Sequence, residues 1–523
     1  MPRAPPSLFR NVTPEYVAVV LASSAGSRLF PITSNELPKH MMPVGGIPVL
    51  SRLLTAIEAS GFQECVVVLA RDDPVTMPHL KADLLNNENT NSGSCADDTM
   101  TGSYRISSSK PNVVVMESNS HMKITILTLQ EECEGSIDAV RQVETIGAVP
   151  KASNMMVLPG DLVVFDPSVI SNICDTHRQE GIPTVCTVLL ADVGEQDEHG
   201  APLKESAKAK KGGLARDEDD IEYIALSYSS SNAASAPRLV WKQLKADVYE
   251  SQAISSETPK LKLPKPLLRM GGMTRLRTDW NDVHVYVFSP WVRRLIVERK
   301  SLLTIQGDLL PLLISRQFQG VSKTFGRQVE EEVVRDVLLT SPDLASLAGG
   351  PTDDGDGGGR PSVSQSAVAN TDYDILAHVQ DEAVRAQTIS SYLHASREVL
   401  NQACATPEEG PTSSKPNPCL QLPPNTLVRS KFHSILLPGA TTGDKVTIKS
   451  TSVGRNCKLG AKCRLNNVVL MDDVTIGNNV TLQNTIVGAK STIGDNCSFN
   501  DCQVAPGVTV PSGEKAKGET FSD

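Results

Sequence analysis

Short apolar runs alternate with amphipathic stretches through the first half of the chain, and the two patterns predict different elements. Tyr16 to Leu21 is apolar without alternation, as expected of a strand covered on both faces. Leu50, Leu53, Leu54 and Ile57 follow the i, i+3, i+4, i+7 spacing of an amphipathic helix, with Pro48 near its start and Gly61 just past its end. Runs at Cys65 to Ala70, Met155 to Leu158, Thr184 to Leu190 and Val283 to Phe288 predict further strands. Strand and helix in repetition predict an α/β fold, a mostly parallel sheet with helices on both faces.

The pattern changes after residue 425. Val453, Leu459, Leu465 and Met471 stand six apart, followed by Ile476 and Leu482, then Val487, Ile493 and Phe499. Several precede a glycine, as in Leu459-Gly460 and Ile476-Gly477. A six-residue apolar period predicts a parallel β-helix in which each hexad forms one side of a triangular coil. An antiparallel sheet would show period two instead. Cys457 and Cys463 share that spacing, which predicts equivalent positions on adjacent coils and a core role for the thiols rather than metal ligation. Stretches near 91–110, 204–220 and 345–370 are rich in Ser, Asn, Asp, Gly or Lys and read as surface insertions with too little apolar area to order themselves. The expected division is a first domain over 1–400, a linker over 401–425 and the β-helix over 426–523.

Composition narrows the function classes. The 523 residues carry 50 Lys and Arg against 60 Asp and Glu, a formal charge of −10, and only 4% are aromatic. That balance argues against direct nucleic-acid binding, which needs a basic face or stacking platforms. Eleven cysteines without any Cys-x-x-Cys pair suit reduced thiols, and no run reaches the ~20 apolar residues of a membrane span. The expected setting is the cytosol, away from any membrane.

The candidate chemistry sits after the first strand. Ala22-Ser23-Ser24-Ala25-Gly26-Ser27-Arg28-Leu29 is a small-residue loop, followed by Pro31-Ile32-Thr33 and by Pro38-Lys39-His40-Met41-Met42-Pro43-Val44. Such a loop lets backbone N–H groups approach a phosphate, and Arg28 and Lys39 would add charge. These segments resemble the signature of the sugar-nucleotidyltransferase family, the nucleoside-diphosphate-sugar pyrophosphorylases: Gly-Gly-x-Gly-Thr-Arg-Leu, Pro-Leu-Thr, Pro-Lys-Pro and Pro-Val-x-x-Lys-Pro. The resemblance implies a Rossmann-type nucleotidyltransferase domain followed by a left-handed β-helix. It also implies a vestigial nucleotide site at Ala22, Gly26, Ser27, Arg28, Lys39 and Gly135, the last from the turn Gly135 to Ala139. Asp161 of Gly160-Asp161 and Asp282 would be the magnesium carboxylates.

The departures are specific. Ser23 and Ser24 replace the two leading glycines, His40 replaces the second proline of Pro-Lys-Pro, and Ile47 stands where a lysine is expected. No Glu-Lys-Pro segment occurs in 220–250, and Lys242 lacks its flanking pattern. No catalytic residue and no obligatory cofactor are therefore expected, although a nucleotide with magnesium in the vestigial pocket stays open. The chain resembles more closely a non-catalytic branch of the family, the gamma subunits of eukaryotic translation initiation factor 2B, through Asp282-Val283-His284-Val285-Tyr286, the Leu302 to Pro311 segment and Arg316-Gln317-Phe318. This resemblance implies partnership with the epsilon and other subunits of that exchange complex and with initiation factor 2. The all-helical C-terminal exchange domain of epsilon is not expected here. The alternative is an active sugar-1-phosphate nucleotidyltransferase making GDP-mannose or ADP-glucose.

Overall fold

The structure is a computed structural model that describes residues 13–85, 105–178, 183–194, 220–228, 235–250, 273–325, 373–404 and 417–522, apart from a few isolated positions. Most of the three expected insertions falls outside the described residues. The end of the first does not: Arg105–Lys110, read as part of a disordered loop, forms the edge strand of the main sheet, paired antiparallel with Val113–Glu117. Its polar outward face hid it, because an edge strand needs little apolar content when one flank is solvated.

Twelve strands form that sheet. From edge to edge they are Met273–Arg277, Glu222–Tyr228, Arg238–Leu244, Asp374–Val379, Thr184–Asp192, Trp280–Phe288, Asn154–Pro159, Tyr16–Ala22, Glu64–Leu69, Lys123–Thr128, Val113–Glu117 and Arg105–Lys110. The centre is parallel, with Tyr16–Ala22 between Glu64–Leu69 and Asn154–Pro159. Trp280–Phe288 runs antiparallel to both its neighbours, so the sheet is mixed. Two apolar layers cover it. One includes Val17, Val19, Met155 and Val157, and the other Ala18, Val20, Met156 and Leu158, so alternate residues of each central strand face opposite cores. The predicted amphipathic helix is Val49–Ala59, with Leu50, Leu53, Leu54 and Ile57 all buried.

The β-helix is present, with parallel strands stacked in three faces. Its period differs from the sequence expectation. Residues one coil apart pair at a separation of 17, as in Val453 with Leu470 and Leu459 with Ile476. One side of each coil is therefore five residues long. The inward column is Val453, Leu470, Val487 and Val504, which displaces Met471 from the expected series. Met471 is buried against the first domain instead. Cys457 and Cys463 correspondingly lie on successive sides of one coil, not on adjacent coils, and both are buried free thiols, as are Cys497 and Cys502. Burial pushes the Cys457 thiol up to about 11, so these cysteines behave as small apolar fillers.

Corners explain the polar residues. Asn467, Asn484 and Asp501 all adopt left-handed backbone, and their side chains form a ladder with Asn467 Nδ2 donating to Asn484 Oδ1 and Asn484 Nδ2 to Asp501 Oδ1, each at 2.9 Å. Gly460 is needed for approach: a Cβ there would lie 2.4 Å from the Gly477 carbonyl oxygen of the next coil. One face is not solvated. Val469, Met471 and Ile486 share an apolar cluster with Leu29, Ile32, Met42 and Tyr392 of the first domain, so the β-helix packs behind the loop that carries Arg28 and Lys39. Arg52 clamps the intervening segment, its Nη1 donating to the Cys419 carbonyl at 2.7 Å and its Nε to that of Val44 at 2.7 Å.

Candidate functional site

The site lies at the C-terminal ends of the central parallel strands, where open α/β sheets bind ligands. Ala22 ends the first strand. Gly26 then takes φ +86°, a left-handed conformation that starts the tight turn Ser27–Leu29, and Thr33 Oγ1 donates to the Gly26 carbonyl at 2.9 Å. Arg28 reaches away from the centre to Asp220, with Nη1 2.7 Å from Oδ1. Gly135 begins the helix Ser136–Thr145, and a Cβ at that position would meet the Leu303 carbonyl at 2.2 Å. Its lack of a side chain thus serves the junction with the Leu303–Ile305 segment, where Ile137 N donates to the same carbonyl at 3.0 Å.

Lys39, Asp161 and Asp282 converge. Lys39 Nζ is 2.8 Å from Asp161 Oδ2, and Arg385 Nε is 3.0 Å from Asp161 Oδ1. Asp282 Oδ2 accepts from Lys242 Nζ at 2.5 Å and from the Tyr286 hydroxyl at 2.8 Å, while its Oδ1 accepts from the His284 backbone at 2.7 Å. Lys242 also lies 3.0 Å from Glu222. His284 bridges the halves, its Nδ1 3.0 Å from Arg385 Nη1, on a left-handed backbone at φ +60° that a non-glycine residue holds only when its surroundings enforce it.

Electrostatics follow from this pairing. Burial would raise the Asp161 carboxyl, but Arg385 and Lys39 outweigh it and hold it well below the usual carboxylate range. Burial also pulls the Lys39 ammonium down by more than Asp161 restores. The carboxylate, flanked by two cations, is the partner whose charge the geometry fixes. Lys242 does the same for Asp282 against the burial penalty, while for Glu222 burial wins and its carboxyl is raised. Burial and the nearby Arg385 push the His284 imidazole down to about 3, so it is neutral at ordinary pH.

Magnesium, which the family resemblance implies, does not fit this donor set. Every oxygen of Asp161 and Asp282 already accepts a hydrogen bond, three of the four from or shared with a fixed cation, and both side chains are fully buried. Among the described residues no group of three or more His, Cys, Asp or Glu side chains is arranged to hold a metal ion. The negative charge that a small dication needs is already balanced by Lys39, Arg385 and Lys242.

Two cavities adjoin the centre. The larger, about 780 Å³, is lined by Ala22, Ser24, Lys39, His40, Gly135 and Arg385 among others. A smaller one of about 290 Å³ includes Arg28, Asp220, Glu222 and Asp282. Ala22 and Gly135 line the larger cavity, Gly26, Ser27, Arg28 and Asp282 the smaller, and Lys39 both, while Asp161 lines neither and reaches the centre through its contact with Lys39. Sequence reasoning missed Arg385 and Lys242. Lys242 was set aside for lacking its flanking motif, yet its side chain is almost fully buried at the centre. Arg385 follows the expected 345–370 insertion, and its only signal is a charge directly after the apolar Ala383-Val384. His40 is also buried, its Nε2 2.8 Å from Thr76 Oγ1 and 3.3 Å from Asp73, and its Nδ1 has no hydrogen-bond partner among the described residues.

Comparison with known proteins supports the resemblance. Residues 17–202 match the Nucleotidyl transferase family, and residues 433–515 match the GMPPB C-terminal domain. Translation initiation factor eIF2B subunit gamma of Schizosaccharomyces pombe is 24% identical over 335 residues, 64% of this chain and 57% of that protein. The match thus spans little more than half the length of that relative. The subunit gamma of Dictyostelium discoideum is 22% identical over 457 residues, 85% of this chain and 88% of that protein. A 41-residue stretch, 8% of this chain and 10% of the relative, is 49% identical to the bifunctional protein GlmU of Methanococcus aeolicus. The first module therefore resembles nucleotidyl transferases and the second the GMPPB C-terminal domain, and over most of its length the chain is similar to gamma subunits of translation initiation factor 2B.

Proposed function

We propose that this chain is a non-catalytic subunit of an initiation factor 2B-type assembly in the cytosol, the complex that exchanges GDP for GTP on initiation factor 2, and that it pairs there with an epsilon-type subunit. The reading rests on one observation: similarity to two proteins named as gamma subunits, one match covering 85% of the chain and so reaching into both modules. The cation-paired carboxylates agree with it, since phosphoryl transfer depends on positioning and neutralising charge at a metal-bound phosphate. No helix among the described residues is long and apolar enough to cross a membrane.

The β-helix offers the surface such a role needs. One face is buried against the first domain, while Lys458, Thr475 and Thr509 on a second and Arg464, Thr481 and Ser498 on a third are exposed. Co-expression with an epsilon-type subunit tests the proposal: a stable stoichiometric complex is expected. A monodisperse monomer that ignores this partner would count against it.

The second reading is an active sugar-1-phosphate nucleotidyltransferase, favoured by the 780 Å³ cavity that still presents Lys39. Incubation with nucleoside triphosphates and sugar 1-phosphates distinguishes it. Pyrophosphate release at enzymatic speed would restore the enzyme.

A further inference from the structure

The two buried aspartates raise the question of what the centre does with a cation. A carboxylate pair held for a metal keeps a net negative charge around it, which the dication then neutralises. Here the opposite holds. Asp161 lies between Lys39 at 2.8 Å and Arg385 at 3.0 Å. Asp282 lies against Lys242, with its second oxygen closed by the His284 N–H. Three fixed cations thus face two aspartates, and including Glu222 as ionised only brings the count level. The side chains of Lys39, Lys242 and both aspartates are at least nine-tenths buried, so water screens none of these charges strongly.

We propose that Arg385 and Lys242, with Lys39, stand in place of a divalent cation and exclude it, so that the centre is built to be metal-free. The two residues act as built-in counter-ions. Bringing a dication to Asp161 would either set it at close range against Arg385 and Lys39 or displace one of them from a buried hydrogen bond, leaving a buried cation without its partner. The His284 ring adds a further barrier, because its Nδ1 accepts from Arg385 Nη1 and anchors that guanidinium from behind. This inference is independent of which subunits the chain joins.

Manganese(II) is a suitable probe, because its free ion is counted directly by electron paramagnetic resonance. Full-length wild-type protein and Asp161→Asn would be titrated with Mn²⁺ at low ionic strength. The expected result is indistinguishable weak, non-saturating binding by the two, from surface carboxylates alone. A single saturable Mn²⁺ that wild type holds and Asp161→Asn loses would overturn the proposal. Arg385→Ala supplies the converse: freeing one Asp161 oxygen is expected to tighten Mn²⁺ binding by about tenfold or more, as removal of a close like charge does. A folded Arg385→Ala with unchanged Mn²⁺ binding would also overturn it. Should a variant fail to fold, wild-type melting with Mg²⁺ decides the matter. A saturable upward shift, which binding to the folded state must produce, refutes the proposal, and its absence supports it.

Discussion

Lys242→Met tests whether the central ion pairs hold the fold. The substitution keeps the length and apolar stem of the side chain but removes the ammonium that lies 2.5 Å from Asp282 and 3.0 Å from Glu222. The Lys242 side chain is 6% exposed, Glu222 4% and Asp282 fully buried, so solvent cannot replace the lost charge. Breaking a buried pair from one side costs about 3–5 kcal/mol, because a buried charge is left uncompensated. Glu222 absorbs part of this by taking up a proton more readily once the ammonium is gone, since burial already raises its carboxyl, so the lower end of that range is expected. Urea denaturation followed by circular dichroism and by fluorescence gives the change in midpoint and tests whether the probes coincide. The double variant Lys242→Met/Asp282→Asn should recover a large part of the loss, a coupling on the order of 2 kcal/mol. A single variant costing under about 1 kcal/mol, with strictly additive effects in the double, would refute the reasoning.

Other consequences follow from particular side chains. Burial pushes the His177 imidazole down to about 3, with its Nδ1 2.9 Å from Thr187 Oγ1. Between about pH 6.5 and 3 the unfolded chain therefore binds a proton there that the folded chain does not, and stability falls as pH falls. His177→Asn should flatten the acid limb of the stability–pH curve by up to one proton, and an unchanged slope would refute this. Ile486→Ala, at a fully buried contact between the β-helix and the first domain, should cost about 2–5 kcal/mol in denaturant titrations. Loss confined to the β-helix, with the first domain untouched, would show that the two modules are not coupled. Gly460→Ala forces a Cβ to 2.4 Å from a backbone oxygen of the next coil. It should cost at least about 1–3 kcal/mol by overpacking, while Gly507→Ala, which meets open space but carries φ +79°, tests backbone strain alone.

Legibility in the sequence tracked how local each cause was. The central strands were visible because covered strands are continuous apolar runs, and the predicted Tyr16 to Leu21 differs from the observed Tyr16–Ala22 by one residue. The β-helix is visible through its repeat, which the sequence shows as three series of six-residue steps without assigning the breaks between them to a shorter side. The fifth-residue side, which puts Leu470 rather than Met471 inward, depends on how three faces close, a property no single hexad carries. The loop residues Gly26, Arg28 and Lys39 were found because they lie close together along the chain. The counter-ions were not: Lys242 pairs with a residue 40 positions away and Arg385 with one 224 positions away. Only the folded sheet brings these charges within reach of the aspartates.

Affinity isolation of the native protein from its own cells, followed by mass spectrometry of what co-elutes, tests the central claim most directly. The account predicts co-elution of epsilon-type and other exchange-factor subunits in fixed proportion. Recovery of the polypeptide free of such partners would contradict it.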